Sequence, residues 1–180
     1  MLQITIPATE LWDEQKQKFV YTKEQTLALE HSLVSLSKWE AKWHKPFLSK
    51  TEKTVDETID YIRCMTLTQN VRPEVYLGLT AENVTQVNAY IEDSMTATFF
   101  SDNNQGKNSR EIVTSELIYY WMIALNIPVK FEKWHLNRLL TLIRVCNVKS
   151  SPPKKYSKSE IMKRNAALNA ARKKQLGTKG

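Results

Sequence analysis

The stretch that decides the fold is Leu117-Ile-Tyr-Tyr-Trp-Met-Ile-Ala-Leu-Asn126-Ile-Pro128, with Trp134-His-Leu-Asn-Arg-Leu-Leu-Thr-Leu-Ile-Arg144 just beyond it. Proline lacks an amide hydrogen and clashes with the preceding turn, so Pro128 separates two helices rather than interrupting one. The first is read as Arg110 to Asn126, carrying Ile112, Leu117, Tyr120, Trp121 and Ala124. From Leu117 onward it is apolar nearly all round, and a helix with no polar face is expected to be buried. The second is read as Glu132 to Asn147, with Leu136, Leu139, Leu140 and Ile143 in an inward stripe. The two are expected to pair as the core hairpin.

Towards the N-terminus, Ser101 to Ser109 holds Asp102-Asn-Asn and Gly106 and reads as a loop, while Met95 to Phe100 is β-like. Thr80 is placed to cap a helix running to Ile91, with Val84, Val87 and Ile91 inward. Pro73 to Leu79 is a short connection or a turn of helix. Thr54-Val-Asp-Glu57 is a capping box: the threonine hydroxyl accepts from an orphan amide and the glutamate reaches back. Val55, Ile59, Ile62 and Met65 follow as its helical stripe. Another helix begins near Ser32, where Leu33, Leu36, Trp39 and Trp43 share one face, and stops around Pro46.

The first thirty residues have a different period. Leu2 to Ile6 alternates and is β-branched, which reads as a strand ended by Pro7. Glu10 to Trp12, a polar turn over Asp13 to Lys18, and Phe19 to Tyr21 make a hairpin, and Thr26 to Leu29 adds a strand. The fold class that follows is α+β, mainly α: an N-terminal hairpin or small antiparallel sheet, a helical core, and a basic C-terminal helix.

That last helix opens at a second capping box, Ser157-Lys-Ser-Glu160, after the linker Ser150-Ser-Pro-Pro-Lys-Lys, and stops at Gly177. Two parts result, a body over residues 1–148 and an arm over 149–180. The charge divides at the same place. The arm holds ten Lys and Arg against one acid, Glu160, for a net +9, while the body holds 16 basic and 18 acidic residues, a net −2. A near-neutral globule with a cationic end points to an anionic partner, either phosphates or an acidic protein surface. The residues placed to engage it are Lys154, Lys155, Lys158, Lys163, Arg164, Arg172, Lys173 and Lys174. Asn165 and Asn169, four apart, share a helix face and are placed to hydrogen-bond the partner. Only Tyr156 in this segment can stack on a base, which disfavours single-strand recognition by stacking.

Catalytic and cofactor motifs are missing. The four glycines are scattered singly, so no phosphate-cradling loop exists, and there is no nucleophile elbow. Asp56-Glu57 sits in a helix's first turn and Glu92-Asp93 at a helix end, positions that structure alone explains. His31, His44 and His135 are unrelated by ligand spacing, so a metal site needs ligands gathered by tertiary folding alone. In Trp43-His44 and Trp134-His135 the tryptophan is expected in the core and the histidine at its edge. Cys64 and Cys146 read as buried free thiols of a reducing compartment. Met1 to Val20 lacks the basic start and apolar run of a secretory signal, and the longest apolar stretch is too short for a bilayer core of about 30 Å. A non-enzymatic binding protein with no cofactor, no metal and no membrane partner is the reading these absences leave.

Three segments carry a resemblance: Ser32-Leu-Val-Ser-Leu-Ser-Lys-Trp39 through Phe47, Trp134-His-Leu-Asn-Arg-Leu-Leu-Thr-Leu-Ile-Arg144, and Leu168-Asn-Ala-Ala-Arg through Gly180. Together they resemble the small proteins encoded in the structural gene block of tailed bacteriophages, and most of all the tail assembly chaperones. The resemblance implies a virion-assembly or minor structural role, with tape-measure or other tail and head components as partners. It implies residence in the host cytoplasm during assembly, or in the virion. The cationic arm departs from the chaperone pattern and keeps a contact with nucleic acid open as the alternative.

Overall fold

The computed structural model describes residues 1–13, 17–100, 112–150 and 157–177. The chain divides into two compact units, Met1–Asn147 and Val148–Gly180. Among the described residues the fold is α+β and mainly α.

In the first unit, strands β1 (Leu2–Ile6) and β4 (Gln25–Leu29) pair antiparallel, and β2 (Thr9–Asp13) pairs with β3 (Lys18–Thr22) between them. One register runs through both pairs. Leu2 faces Leu29 and Ile6 faces Gln25 in the first, and Thr9 faces Thr22 in the second, with no residue gained or lost between. The four strands are thus one long ribbon broken in the middle, where Pro7 has no amide to give to the ladder. Ile4, Ile6, Leu27 and Leu29 point inward, while Thr5 and Thr26 share a hydroxyl contact on the outer face (3.1 Å).

The helices start where hydroxyl side chains can take their orphan amides. Ser32 caps α1 (Leu33–Trp43), Thr54 caps α2 (Val55–Met65), and Thr80 caps α3 (Ala81–Glu92), the first and last with Ser35 and Asn83 reaching back instead of a glutamate. A 3-10 turn over Pro73–Gly78 precedes α3. α4 (Ser115–Ala124) is capped by Thr114, a second 3-10 turn spans Val129–Lys133, and α5 runs over Leu136–Ser150. The turn over Val129–Lys133 occupies the first residues of the helix expected from Glu132, so α5 begins at Leu136.

The hub of the core is α1, against which α2, α4 and the Val129–Lys133 turn pack, while α3 packs on β1. This corrects the expected pairing of the two C-terminal body helices: α4 makes its close approach to α1 rather than to α5. α1 has the material for a hub, since Leu33, Leu36 and Trp39 are all essentially inaccessible. Trp39 also donates its indole N–H to the Glu57 carbonyl (2.9 Å), so its polar handle is satisfied inside the core.

Four other expectations need correction. α4 is not buried all round. Its inward face is Ser115, Ile118 and Met122, while Tyr120 is 63% and Ile123 71% exposed. Among the described helices its close approach is to α1, and the side turned away from α1 stays exposed. Met95–Phe100 forms no strand, because Asp93 takes the Met95 amide (2.8 Å), Thr96 takes the Thr98 amide (3.1 Å), and Met95 has a left-handed φ of 49°. Val55 points outward, and the buried stripe of α2 is Glu57, Asp60, Tyr61, Ile62 and Met65. At Trp134-His135 the order is reversed, with His135 inside and Trp134 half-buried, stacked on Phe131 (4.2 Å) under the Arg138 guanidinium. The loop expected over Ser101 to Ser109 lies outside the described residues, as does the expected helix start at Arg110. Cys64 and Cys146 are free and half-buried.

Candidate functional site

The second unit holds α6 (Lys158–Leu176), a helix of nineteen residues and roughly 28 Å. Its ends are closed by local chemistry. The Ser157 hydroxyl accepts from the Glu160 amide (3.2 Å), and the Ser157 amide donates back to the Glu160 carboxylate (2.8 Å). At the other end Gly177 turns left-handed (φ 65°) and gives its amide to the Lys173 carbonyl, a conformation glycine adopts without strain.

No residue of α6 is buried. Its apolar members Ile161, Met162, Leu168 and Leu176 are all exposed. Lys158, Lys163, Arg164, Arg172, Lys173 and Lys174 lie on this helix, and a rotation of about 100° per residue distributes them around its whole circumference. Asn165 and Asn169 fall on one face. Lys154 and Lys155 lie outside the described residues. α6 is therefore a positively charged helix with no hydrophobic seam, which makes electrostatic contacts at many orientations rather than one packed interface.

The first unit contains what sequence reading missed. The hairpin tip exposes Trp12 (53%), Phe19 (65%) and Tyr21, with Trp12 and Phe19 directly opposite and edge to face (4.9 Å). Together with Tyr120 and Ile123 on α4, these place large apolar side chains in water, where aromatic rings mark contact surfaces more often than chance. The hairpin of β2 and β3 was legible from the polar turn between two apolar runs. What was not legible is that no described residue of this unit covers the aromatic side.

A polar cluster is buried in the same unit. His31 Nδ1 lies 2.6 Å from the Tyr61 hydroxyl, and His135 Nε2 lies 3.0 Å from the Tyr90 carbonyl. The Tyr90 hydroxyl in turn donates to Glu30 (2.8 Å). Burial, and then the neighbouring His135, push His31 down to about 3. Burial holds the Tyr61 phenol protonated far above its ordinary range. The Asp60 carboxyl feels burial pulling it up, but hydrogen bonds from Lys42 and Trp43 outweigh this and hold it low. Among the described residues His31 and His135 gather no carboxylate or thiolate. Among the described residues no group of three His, Cys, Asp or Glu side chains is placed to hold a metal.

No family model, curated protein or solved structure matches the chain. No helix among the described residues is long and apolar enough to cross a membrane.

Proposed function

We propose that this chain is a non-enzymatic assembly or minor structural protein of a tailed bacteriophage, similar in role to a tail assembly chaperone, that works by contact with other virion proteins. The body supplies the fold, and α6 is a docking arm for an acidic surface. The observation that carries this reading is that α6 is capped at both ends yet buries none of its nineteen residues. A helix this polar gains little from its own core and becomes stable by docking. The resemblance in residues 32–47, 134–144 and 168–180 supplies the phage context. The exposed aromatics of the hairpin tip and α4 support protein contact as the mode of action.

A second reading has its own observation. The cations surround α6 and no aromatic residue lies between Lys158 and Leu176, which suits phosphate contact without reading of bases. The two readings separate in two experiments. Affinity capture with the full chain from infected cells is expected to recover tape-measure, tail or head proteins. Recovery of host metabolic enzymes alone would overturn the assembly reading. Binding of duplex DNA at low salt, falling by orders of magnitude towards physiological salt, would establish the second reading. Absence of DNA binding at low salt removes it.

A further inference from the structure

An open cleft of about 460 Å³ lies where the outer face of α1 meets the end of α2. α1 presents Lys38 and Lys42 to it, four residues apart and so on one face. α2 contributes Asp60 and Arg63, and the segment after α2 contributes Thr68 and Asn70. Three cations therefore share the cleft with a single carboxylate.

Some of these groups are already committed. Asp60 receives the Lys42 ammonium and the Trp43 indole N–H (2.9 Å), so its oxygens are occupied. Arg63 forms an ion pair with Asp60 at 3.7 Å, beyond hydrogen-bond distance, so its guanidinium N–H groups are left to give among the described residues. Lys38 has no acidic partner among the described residues. The Thr68 hydroxyl oxygen accepts the Ala28 amide (2.9 Å), which leaves its own hydrogen to give. The Asn70 side-chain amide has no described partner. The cleft thus holds more donors than acceptors and a surplus of positive charge, three cations against one carboxylate.

Arg63 is also held in place before any ligand arrives. Its guanidinium lies over the Tyr76 ring (5.7 Å), and Tyr76 is buried and fixed through its hydroxyl, which donates to Thr66 (3.0 Å). A guanidinium resting on a ring loses less freedom on binding, and its planar fork matches two oxygens of a tetrahedral anion. Charge of one sign against protein walls raises the local concentration of anions.

We infer that this cleft binds a phosphoryl group, free or esterified, seated between Arg63 and Lys38, with Thr68 and Asn70 as neutral donors. The site belongs to the body alone and does not depend on the role of α6. Its volume exceeds that of a phosphate ion, leaving room for a second phosphate or an organic group beside Val71.

The test uses the full chain with inorganic phosphate, inorganic pyrophosphate and glycerol 3-phosphate as probes, at constant ionic strength, followed by amide NMR titration. Saturable shifts are expected at Thr68, Asn70 and the neighbouring amides. Lys38→Gln and Arg63→Gln are each expected to weaken binding about tenfold or more. Lys50→Gln, an exposed lysine away from the cleft, should leave it unchanged. Tighter binding of the ester than of the inorganic probes assigns an organic phosphate, and the reverse assigns an inorganic one. Shifts confined to α6, or an affinity unmoved by Lys38→Gln, overturn the proposal. Lys38 is exposed, so its variant decides the matter even if Arg63→Gln is less stable.

Discussion

The imidazoles of His31 and His135 meet edge to face in the core, with centroids 5.1 Å apart and planes at 66°. His31 precedes α1 and His135 precedes α5, and the Leu136 amide donates to the His31 carbonyl (2.7 Å). This contact ties the start of α5 to the end of the ribbon, and a proton on either ring would place a charge beside the other.

Acid should therefore loosen the body. His31 takes a proton at about 6.5 when unfolded and only at about 3 when folded. Between those values the unfolded chain binds more protons, so stability is complete above 6.5 and is lost as pH falls, by up to about 1.4 kcal/mol per pH unit. Urea unfolding from pH 7 to pH 5 checks this above the range where most carboxylates titrate. His31→Phe should flatten the dependence there. An unchanged slope in that variant would rule His31 out as the source.

Glu40 is the second buried group with an identifiable task. One carboxylate oxygen accepts the Phe47 amide (2.8 Å) and the other the Ser115 amide (2.7 Å), at the first residue of α4. It clamps the loop after α1 and the start of α4 to the hub. Glu40→Ala leaves two buried amides without acceptors and should cost about 3–5 kcal/mol. Equilibrium denaturation would show a shift of the midpoint at constant slope. A loss below about 1 kcal/mol would mean that water replaces the carboxylate.

Adjacent residues of α4 should behave oppositely. Met122 is 1% exposed against α1, whereas Ile123 is 71% exposed. Met122→Ala should cost about 2–5 kcal/mol through the cavity it leaves. Ile123→Asp should stay within about 0.5 kcal/mol, as surface changes do. Thermal melts of both variants decide it, and a large loss from Ile123→Asp would place that face in contact with something it needs.

These residues also show where the sequence was legible and where it was not. Capping boxes are local, so Thr54-Glu57 and Ser157-Glu160 are readable from four residues and have the expected bonds. The strand over Leu2–Ile6 was readable because alternation and Pro7 are local too, whereas its pairing with Gln25–Leu29 in one continuous ribbon was not. The hub was not: periodicity shows that α4 has apolar residues all round, but not how many neighbours exist to cover them. The pairing of His31 with His135 has no local signal at all, since two segments distant in sequence bring the rings together. The cleft at Lys38 and Arg63 is hidden for the same reason, its cations lying on different helices among other charges. The arm's charge was plain from composition because segregation along the chain needs no fold to be seen.

The arm permits one further test. No residue of α6 is buried, so deletion of residues 149–180 should leave a cooperative melt within about 2 °C of that of the whole chain. Taken alone, a peptide spanning residues 157–177 has its caps and alanines in its favour, but it must still meet the cost of the first turn and has no hydrophobic face to bury. It should be only partly helical in water by circular dichroism, and become more helical when an acidic protein surface or nucleic acid neutralises its cations. The gain should fade with added salt, because exposed charges are screened beyond roughly 10 Å at 0.1 M. A peptide already fully helical in isolation would remove the energetic need for a partner, and with it the argument that this helix exists to dock.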